Sequence, residues 1–417
     1  MKYNIKKGGG EMDSRDLNRI RELAKEQLEI AKSPEMEALG KAWTGLNDCK
    51  RTKPLITVET STFGKDVIPP LMECTTEEGR NWEYMLLGNI INHKYFGDDT
   101  FVRDFIPVNY GSYMRPFDIE IHVENTSGLG HHFVPAVSDL NTDFEKLRPS
   151  SIYISPKEEA EKRVEEIYDV LGGILPGKIV GLSMYSVPTQ DIVHIMSMED
   201  MYVAMYDTPD LFKKIMDMIT DDYCRYFDEL EKAGHIMSTV SSEQLSQWTY
   251  CFTNDLPKEN VSKVNQIWGF MDSQETAGIS PEMYEEFIFP YYKKVFDRYG
   301  LLSYGCCEAL DPIWENCLSK VENLRKVSVS PWCNEEYIGE QLKGRKIVYH
   351  RKPSPNFLGV GKQLDEEALR KHIRKTLKAA EGCTLEFTQR DVYTVNNDMD
   401  KVRRYVEIVK EEIDNFR

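Results

Sequence analysis

Residues 301 to 310 read LLSYGCCEAL, an apolar run that ends on two adjacent thiols and a carboxylate. Thiolate sulfur is a soft nucleophile and metal ligand, and a carboxylate beside it can trade protons or hold a cation. Period-two alternation predicts Tyr304, Cys306 and Glu308 on one strand face and Cys307 on the other. Comparable apolar runs end in the same way. They are followed by Asn109 and Tyr110; by Tyr185 and Ser186; by Asp272, Gln274 and Glu275; by Ser330 and Cys333; by His350 and Lys352; and by Glu386, Arg390 and Asp391.

Each group has a plain reading beside the chemical one. Cys306 and Cys307 are either small buried hydrophobes, or Cys306 joins Glu308 as donors of a zinc site that Cys333 or His350 completes. The loop from Asp272 to Glu275 either runs idly into the next helix or gathers carboxylates for proton exchange. His350 lies on an apolar strand, where a histidine reads as a hydrogen-bonded core residue or as a pocket wall. Glu386 and Arg390 make an ion pair, or Arg390 grips a substrate carboxylate. His131 and His132, in SGLGHHF, read as a loop feature with no ligand partner at zinc spacing.

The runs that would carry these groups are PLITVET (54–60), DFIPVNYG (104–111), KIVGLSMYS (178–186), QIWGFMD (266–272), LLSYGCC (301–307), LRKVSVS (324–330), KIVYHRK (346–352) and CTLEFTQ (383–389). Helical stretches at 157–171, 210–233, 281–298, 365–380 and 399–415 fall between or after them. This strand–helix alternation predicts a parallel sheet, and the number of runs fits a closed (β/α)8 barrel. Active residues of such a barrel lie at the carboxyl ends of its strands, which is where the groups above fall. The alternative, a doubly wound sheet, lacks a G-x-G-x-x-G turn. Ser280-Pro281-Glu282 marks a capped helix start, and Pro290 predicts a kink in that helix. Residues 1–13 read as a flexible leader, 14–52 as a helical extension beginning with an amphipathic helix, and 53–417 as the barrel.

Net charge is −17, with 52 basic against 69 acidic residues. That balance opposes nucleic-acid backbones and anionic membranes and leaves small molecules or a protein partner. No run approaches the ~20 apolar residues of a membrane span, and the start, MKYNIKKGGG, has no apolar signal core. Nine cysteines without scaffold spacing then predict reduced thiols and a cytoplasmic setting.

On the segments WGFMDSQETAGISPEMYEEFIFPYYKKVFDRYG (268–300), YGCCEALD (304–311), LRKVSVSPWC (324–333), HRKPSP (350–355), NNDMDKVRRYVEIVKEEI (396–413) and AWTGLNDCKRTKPLITVET (42–60), the chain resembles the uroporphyrinogen decarboxylase superfamily of TIM barrels. That superfamily includes corrinoid-linked and cobalamin-independent methyltransferases. The decarboxylases' Arg-Gln-Ala-Gly-Arg motif has no counterpart here. Tyr304-Gly305-Cys306 stands in place of the His-x-Cys of the zinc methyltransferases, so the resemblance carries over Cys306 alone. It implies a methyltransferase that moves a methyl group between a small methylated compound or thiol and a corrinoid held by a partner protein, with zinc assistance. No D-x-H-x-x-G corrinoid motif occurs in the chain. The expected metal donors are Cys306, Cys307 and Cys333; the expected catalytic groups are Glu308, Asp272, Glu275, His350, Glu386 and Asp391. Asn109, Tyr110, Tyr185, Tyr304, Lys352 and Arg390 are expected at the substrate, in a monomer or homodimer. The alternatives are a lyase or decarboxylase of a small polycarboxylate that uses Arg390, Lys352 and Arg351 as anion grips, and a barrel that only binds a metabolite.

Overall fold

The computed structural model describes residues 12–50, 52–125 and 131–416. The leader expected over 1–13 lies outside them up to residue 11. Its last residue, Asp13, caps the first helix, Ser14–Ala31, by accepting from Asp16 N at 2.8 Å. A second helix, Pro34–Asn47, completes the extension. Ile20, Leu23, Ala24 and Met36 from these helices join the main hydrophobic core, because an amphipathic helix gains its stability by burying its apolar stripe.

Fifteen short strands follow among the described residues. In chain order they are β1 Leu55–Val58, β2 Ile106–Val108, β3 Tyr113–Arg115, β4 Val123–Asn125, β5 His131–Phe133, β6 Ser151–Tyr153, β7 Gly177–Ile179 and β8 Met184–Ser186. They continue with β9 Gln244–Leu245, β10 Thr249–Tyr250, β11 Trp268–Met271, β12 Leu301–Tyr304, β13 Leu324–Val329, β14 Val348–Arg351 and β15 Thr384–Gln389. Seven of them form one parallel ladder in the order β1-β15-β14-β13-β12-β11-β8. Helices cover its outer face, as the strand–helix alternation predicts. This is the (β/α)8 barrel architecture.

The ladder stops at β1 for a local reason. Along the free edge of β1, Ile56 N donates to Asp99 Oδ2 and Val58 N to Asp98 Oδ2, each at 2.8 Å. Asp99 N donates to Ile56 O at 2.7 Å, and Asn92 Nδ2 to Val58 O at 2.8 Å. Side chains thus satisfy the edge that another strand would have paired. The β9–β10 hairpin bridges the two edges instead: Ser183 Oγ, beside β8, donates to Gln244 O at 3.4 Å, and Thr57 Oγ1 of β1 donates to Trp248 O at 3.1 Å.

The run DFIPVNYG becomes β2, which pairs with β7 outside the ladder, and KIVGLSMYS splits into β7 and β8. His131 to Phe133, read as loop, forms β5 against β4; the glycine-rich approach to it lies outside the described residues. The helix expected over 281–298 breaks into Pro281–Phe287 and Phe289–Phe296 around Ile288, where Pro290 denies the ladder an N–H. Among the described residues no helix is long and apolar enough to cross a membrane.

Candidate active site

The ends of β8, β11, β12, β14 and β15 meet at one mouth of the barrel. Asp272, just after β11, is 1% exposed, and its Oδ1 is buried without a hydrogen-bond partner. Burial, then the charges of Glu308, Cys306 and Glu275, push its carboxyl well above the usual range. These surroundings therefore favour the protonated form of Asp272. Glu308 is fixed by two backbone donors, Ser273 N to Oε1 at 3.1 Å and Cys306 N to Oε2 at 2.8 Å. These bonds tie the tip of β11 to that of β12 and set a carboxylate beside Asp272. One step behind, Thr189 Oγ1 donates to Glu275 Oε2 at 2.8 Å, and burial raises the Glu275 carboxyl. Burial also pushes Asp191 up to about 7, although the Tyr223 hydroxyl donates to its Oδ2 at 2.5 Å. Tyr185 is half exposed and stacks on Phe270 with ring centroids 5.5 Å apart.

Strand alternation ends at Tyr304, which corrects the shared face expected for Tyr304, Cys306 and Glu308. β12 stops there and Gly305 turns the chain at φ +100°, a conformation that L side chains rarely adopt. Tyr304 itself packs into the helix layer, with its hydroxyl 2.7 Å from that of Tyr284, 2.6 Å from Ser273 Oγ, and its ring edge-on to Phe296 at 5.6 Å. The turn carries Cys306 and Cys307 together, Sγ to Sγ 3.6 Å. The hydrogen bond from the Cys306 thiol holds the Cys307 thiol below its ordinary pKa against burial, with Lys352 and Arg390 assisting. The same bond and burial push Cys306 up.

Cys333 is directed elsewhere. Its Sγ accepts from Leu310 N at 3.4 Å and lies 3.6 Å from Ser330 Oγ. Among the described residues no group of three or more His, Cys, Asp and Glu side chains is gathered to hold a metal ion. The donor set of Cys306, Cys307 and Cys333 does not fit the zinc that the resemblance implied.

Opposite the acids stand two cations. Lys352 is 4% exposed, and its Nζ donates to Gln247 Oε1 and, at 3.2 Å, to Cys306 O. Burial, then Arg390, lowers its pKa. Arg390 pairs with Glu59 (Nε to Oε2, 3.0 Å) and also donates through Nη1 to Gln247 Oε1. Asp391 is 3.9 Å from the Arg390 guanidinium.

His350 and Glu386 lie deeper, on the barrel's inner face. Lys326 Nζ meets Glu386 Oε2 at 2.6 Å with both side chains fully buried. His350 Nε2 is 2.8 Å from Thr388 Oγ1 and 3.7 Å from Glu386 Oε1, and burial with the Lys326 charge keeps the imidazole neutral. Arg351, offered as an anion grip, faces the helix layer and is held by Glu335 at 3.0 Å. Asn109 and Tyr110 are not brought to the mouth, because β2 leaves the ladder. The Tyr110 ring stacks on His235 at 4.0 Å, and Asn109 O accepts from Arg163 at 2.7 Å. Sequence reasoning missed Glu59, Asp191 and Gln247. Glu59 directly follows β1 and Asp191 is five residues past β8, so the strand-end rule reaches both; Gln247 rides on a hairpin with no apolar run to announce it.

No family model matches the chain, and no curated protein matches it. Among solved structures, a methyltransferase from Methanosarcina mazei aligns over 89% of this chain and 98% of its own, with a TM-score of 0.51 and 12% identity. The two share one fold. A B12-independent methionine synthase from Shewanella sp. in complex with selenomethionine aligns over 82% of this chain and 92% of its own at 12% identity, but its TM-score of 0.35 carries no argument. At such identity the likeness to the Methanosarcina mazei protein concerns the barrel and leaves the chemistry to the residues at its mouth.

Proposed function

We propose that the chain is a methyltransferase that moves a methyl group from a small methylated compound to a corrinoid carried on a separate protein, or in the reverse direction. The observation that carries this reading is Asp272, a buried carboxyl with an unpaired Oδ1 whose surroundings favour its protonated form, set beside Glu308 and the Cys306–Cys307 pair. The corrinoid, when its carrier docks, supplies the methyl acceptor. In the forward direction the bond between the methyl carbon and its heteroatom would break as the methyl group passes to that acceptor, the electron pair would stay on the heteroatom, and Asp272 would deliver a proton there. Burial, and after it the Glu308 charge, favours the protonated form of Asp272, and the Tyr185–Phe270 stack offers an apolar wall for the methyl end of the donor. Tyr185 within β8, Trp332 after β13 and Tyr393 after β15 are exposed at the carboxyl ends of their strands and would offer aromatic faces to a planar macrocycle.

The test mixes purified protein with reduced free cobalamin and candidate methylated ethers, thioethers and amines, and follows methylation spectroscopically. Asp272→Asn is expected to lower the rate by about 10²-fold or more while circular dichroism stays unchanged. Unchanged transfer in that variant would remove Asp272 from the chemistry. The Lys352–Arg390 pair favours a second reading, a decarboxylase of a small polycarboxylate. Release of carbon dioxide without any corrinoid would select it.

A further inference from the structure

We infer that Lys352 and Arg390 form the seat of a substrate carboxylate, which the Gln247 side chain occupies in the closed molecule. This deepens the methyl-transfer reading by naming the substrate class: a small methylated carboxylic acid, held by its acid end and presented by its methyl end to Asp272 and the thiols.

Among the described residues no carboxylate oxygen lies within 4.0 Å of Lys352 Nζ, although that ammonium is almost fully buried. Its acceptors are two neutral oxygens, Cys306 O and Gln247 Oε1. Arg390 already has opposite charge, meeting Glu59 through Nε at 3.0 Å and Nη2 at 3.4 Å, and directs its remaining Nη1 to the same Gln247 oxygen. The Lys352 ammonium and that guanidinium arm thus converge on one uncharged atom, and the desolvated charge of Lys352 is the one not met by a carboxylate. A primary amide has the shape of a carboxylate without its charge. The ammonium and the Nη1 arm would bind the charged form far better.

The occupant is also held uneasily. Gln247 and Trp248 take consecutive positive φ values of 73° and 61°, left-handed backbone that side-chain-bearing residues enter at a cost. Trp248 Nε1 is buried without a partner, and Gln247 Nε2 makes no hydrogen bond among the described residues. The hairpin that carries them pairs only Leu245 with Thr249 and Gln244 with Tyr250. Buried Leu245 and Tyr250 anchor its base, so withdrawal of residues 246–248 would break the bond from Thr57 Oγ1 to Trp248 O and the Gln247 contacts and leave the base in place. The surroundings then orient the guest: Cys306 O touches Lys352, and Cys306 also adjoins Glu308, the neighbour of Asp272. In a chain of net charge −17, an anionic substrate needs such a local cationic seat.

Two arms test the inference. The first needs no ligand. Gln247→Glu puts a carboxylate into the seat, and its melting temperature at pH 7 is expected to rise by several degrees; a fall would overturn the inference. The second arm titrates methoxyacetate and its neutral isostere methoxyacetamide calorimetrically. The acid is expected to bind, about threefold or more tighter in Gln247→Ala, and about tenfold or more weaker in Lys352→Met and Gln247→Glu, with the amide silent throughout. Equal binding of acid and amide, or no gain in Gln247→Ala, would overturn it, and Gln247→Glu stands in if Lys352→Met does not fold. Neither arm measures methyl transfer. Acid binding without any transfer to cobalamin would therefore sink the methyltransferase reading and leave the seat standing. Transfer from neutral donors alone would do the opposite.

Discussion

At the scale of single residues the mouth sorts similar groups by their surroundings. Burial, and after it the Glu308 charge, favours the protonated form of Asp272, and Glu308 accepts from two backbone N–H donors. The two thiols divide in the same way: one bond raises Cys306 and lowers Cys307. Since thiolate fraction governs alkylation, Cys307 should be the first cysteine labelled by iodoacetamide at pH 7, read by peptide mass spectrometry. Cys306→Ala should slow it, and Cys74, which burial pushes up to about 12, should remain unlabelled until the chain unfolds. Equal labelling of Cys74 and Cys307 would contradict the assignment. Deeper in the barrel, Lys326 and Glu386 are a fully buried pair with His350 beside them. Breaking such a pair strands a charge, so Glu386→Gln should cost about 3–5 kcal/mol in urea unfolding, while Lys326→Met with Glu386→Leu should come close to neutral. If the single change costs nothing, the pair does not brace the barrel and His350 and Glu386 regain a claim to chemistry.

At the scale of elements, the turn after β12 decides where the thiols stand. Gly305 sits at φ +100°, and a Cβ there would lie 3.2 Å from the Ser328 Cβ. Gly305→Ala should destabilise the protein by about 1–3 kcal/mol and, by moving Cys306 N away from Glu308, should also abolish the rapid labelling of Cys307. Loss of stability with labelling intact would show that the turn does not set the thiol geometry. This position also shows how much the sequence discloses. LLSY reads as a strand from its composition, and the strand-end rule brings Asp272, Glu308, Lys352 and Arg390 to one mouth correctly. Alternation predicts one face from Tyr304 to Glu308, but Gly305, with its positive φ, resets the register directly after Tyr304. Asn109 and Tyr110 were lost for a different reason: Asp98 and Asp99 cap the edge of β1 with side chains, and no pattern in DFIPVNYG records that its strand is left outside the ladder. Gln247 depends on long-range hairpin placement, which local periodicity does not encode.

At the scale of the whole molecule, buried titratable groups of both kinds set a pH window for stability. Burial raises Asp191 to about 7 and Asp98 to about 6 from an ordinary value of 3.8. A folded state that binds protons more tightly than the unfolded chain has its full stability from these groups at low pH and loses it as pH rises through the raised values. The histidines act oppositely. Burial depresses His350 well below 6.5 and His372 to about 4, so their share is present above 6.5 and is lost as pH falls through the depressed values. Between pH 4 and 7 the two sets pull against each other, and above about 7 the histidine contribution is constant while the last of the Asp191 contribution disappears. Asp191→Asn keeps the shape of the protonated acid and its place beside Tyr223 and Glu275 while removing the titration, so the melting temperature of the wild type should fall relative to that of Asp191→Asn from pH 6 to pH 8, the histidine contribution being common to both. Parallel curves for the two proteins across pH 6 to 8 would mean that Asp191 is ionised in the folded state at neutral pH. The acidic wall behind Asp272 would then carry one more charge than the barrel mouth described here.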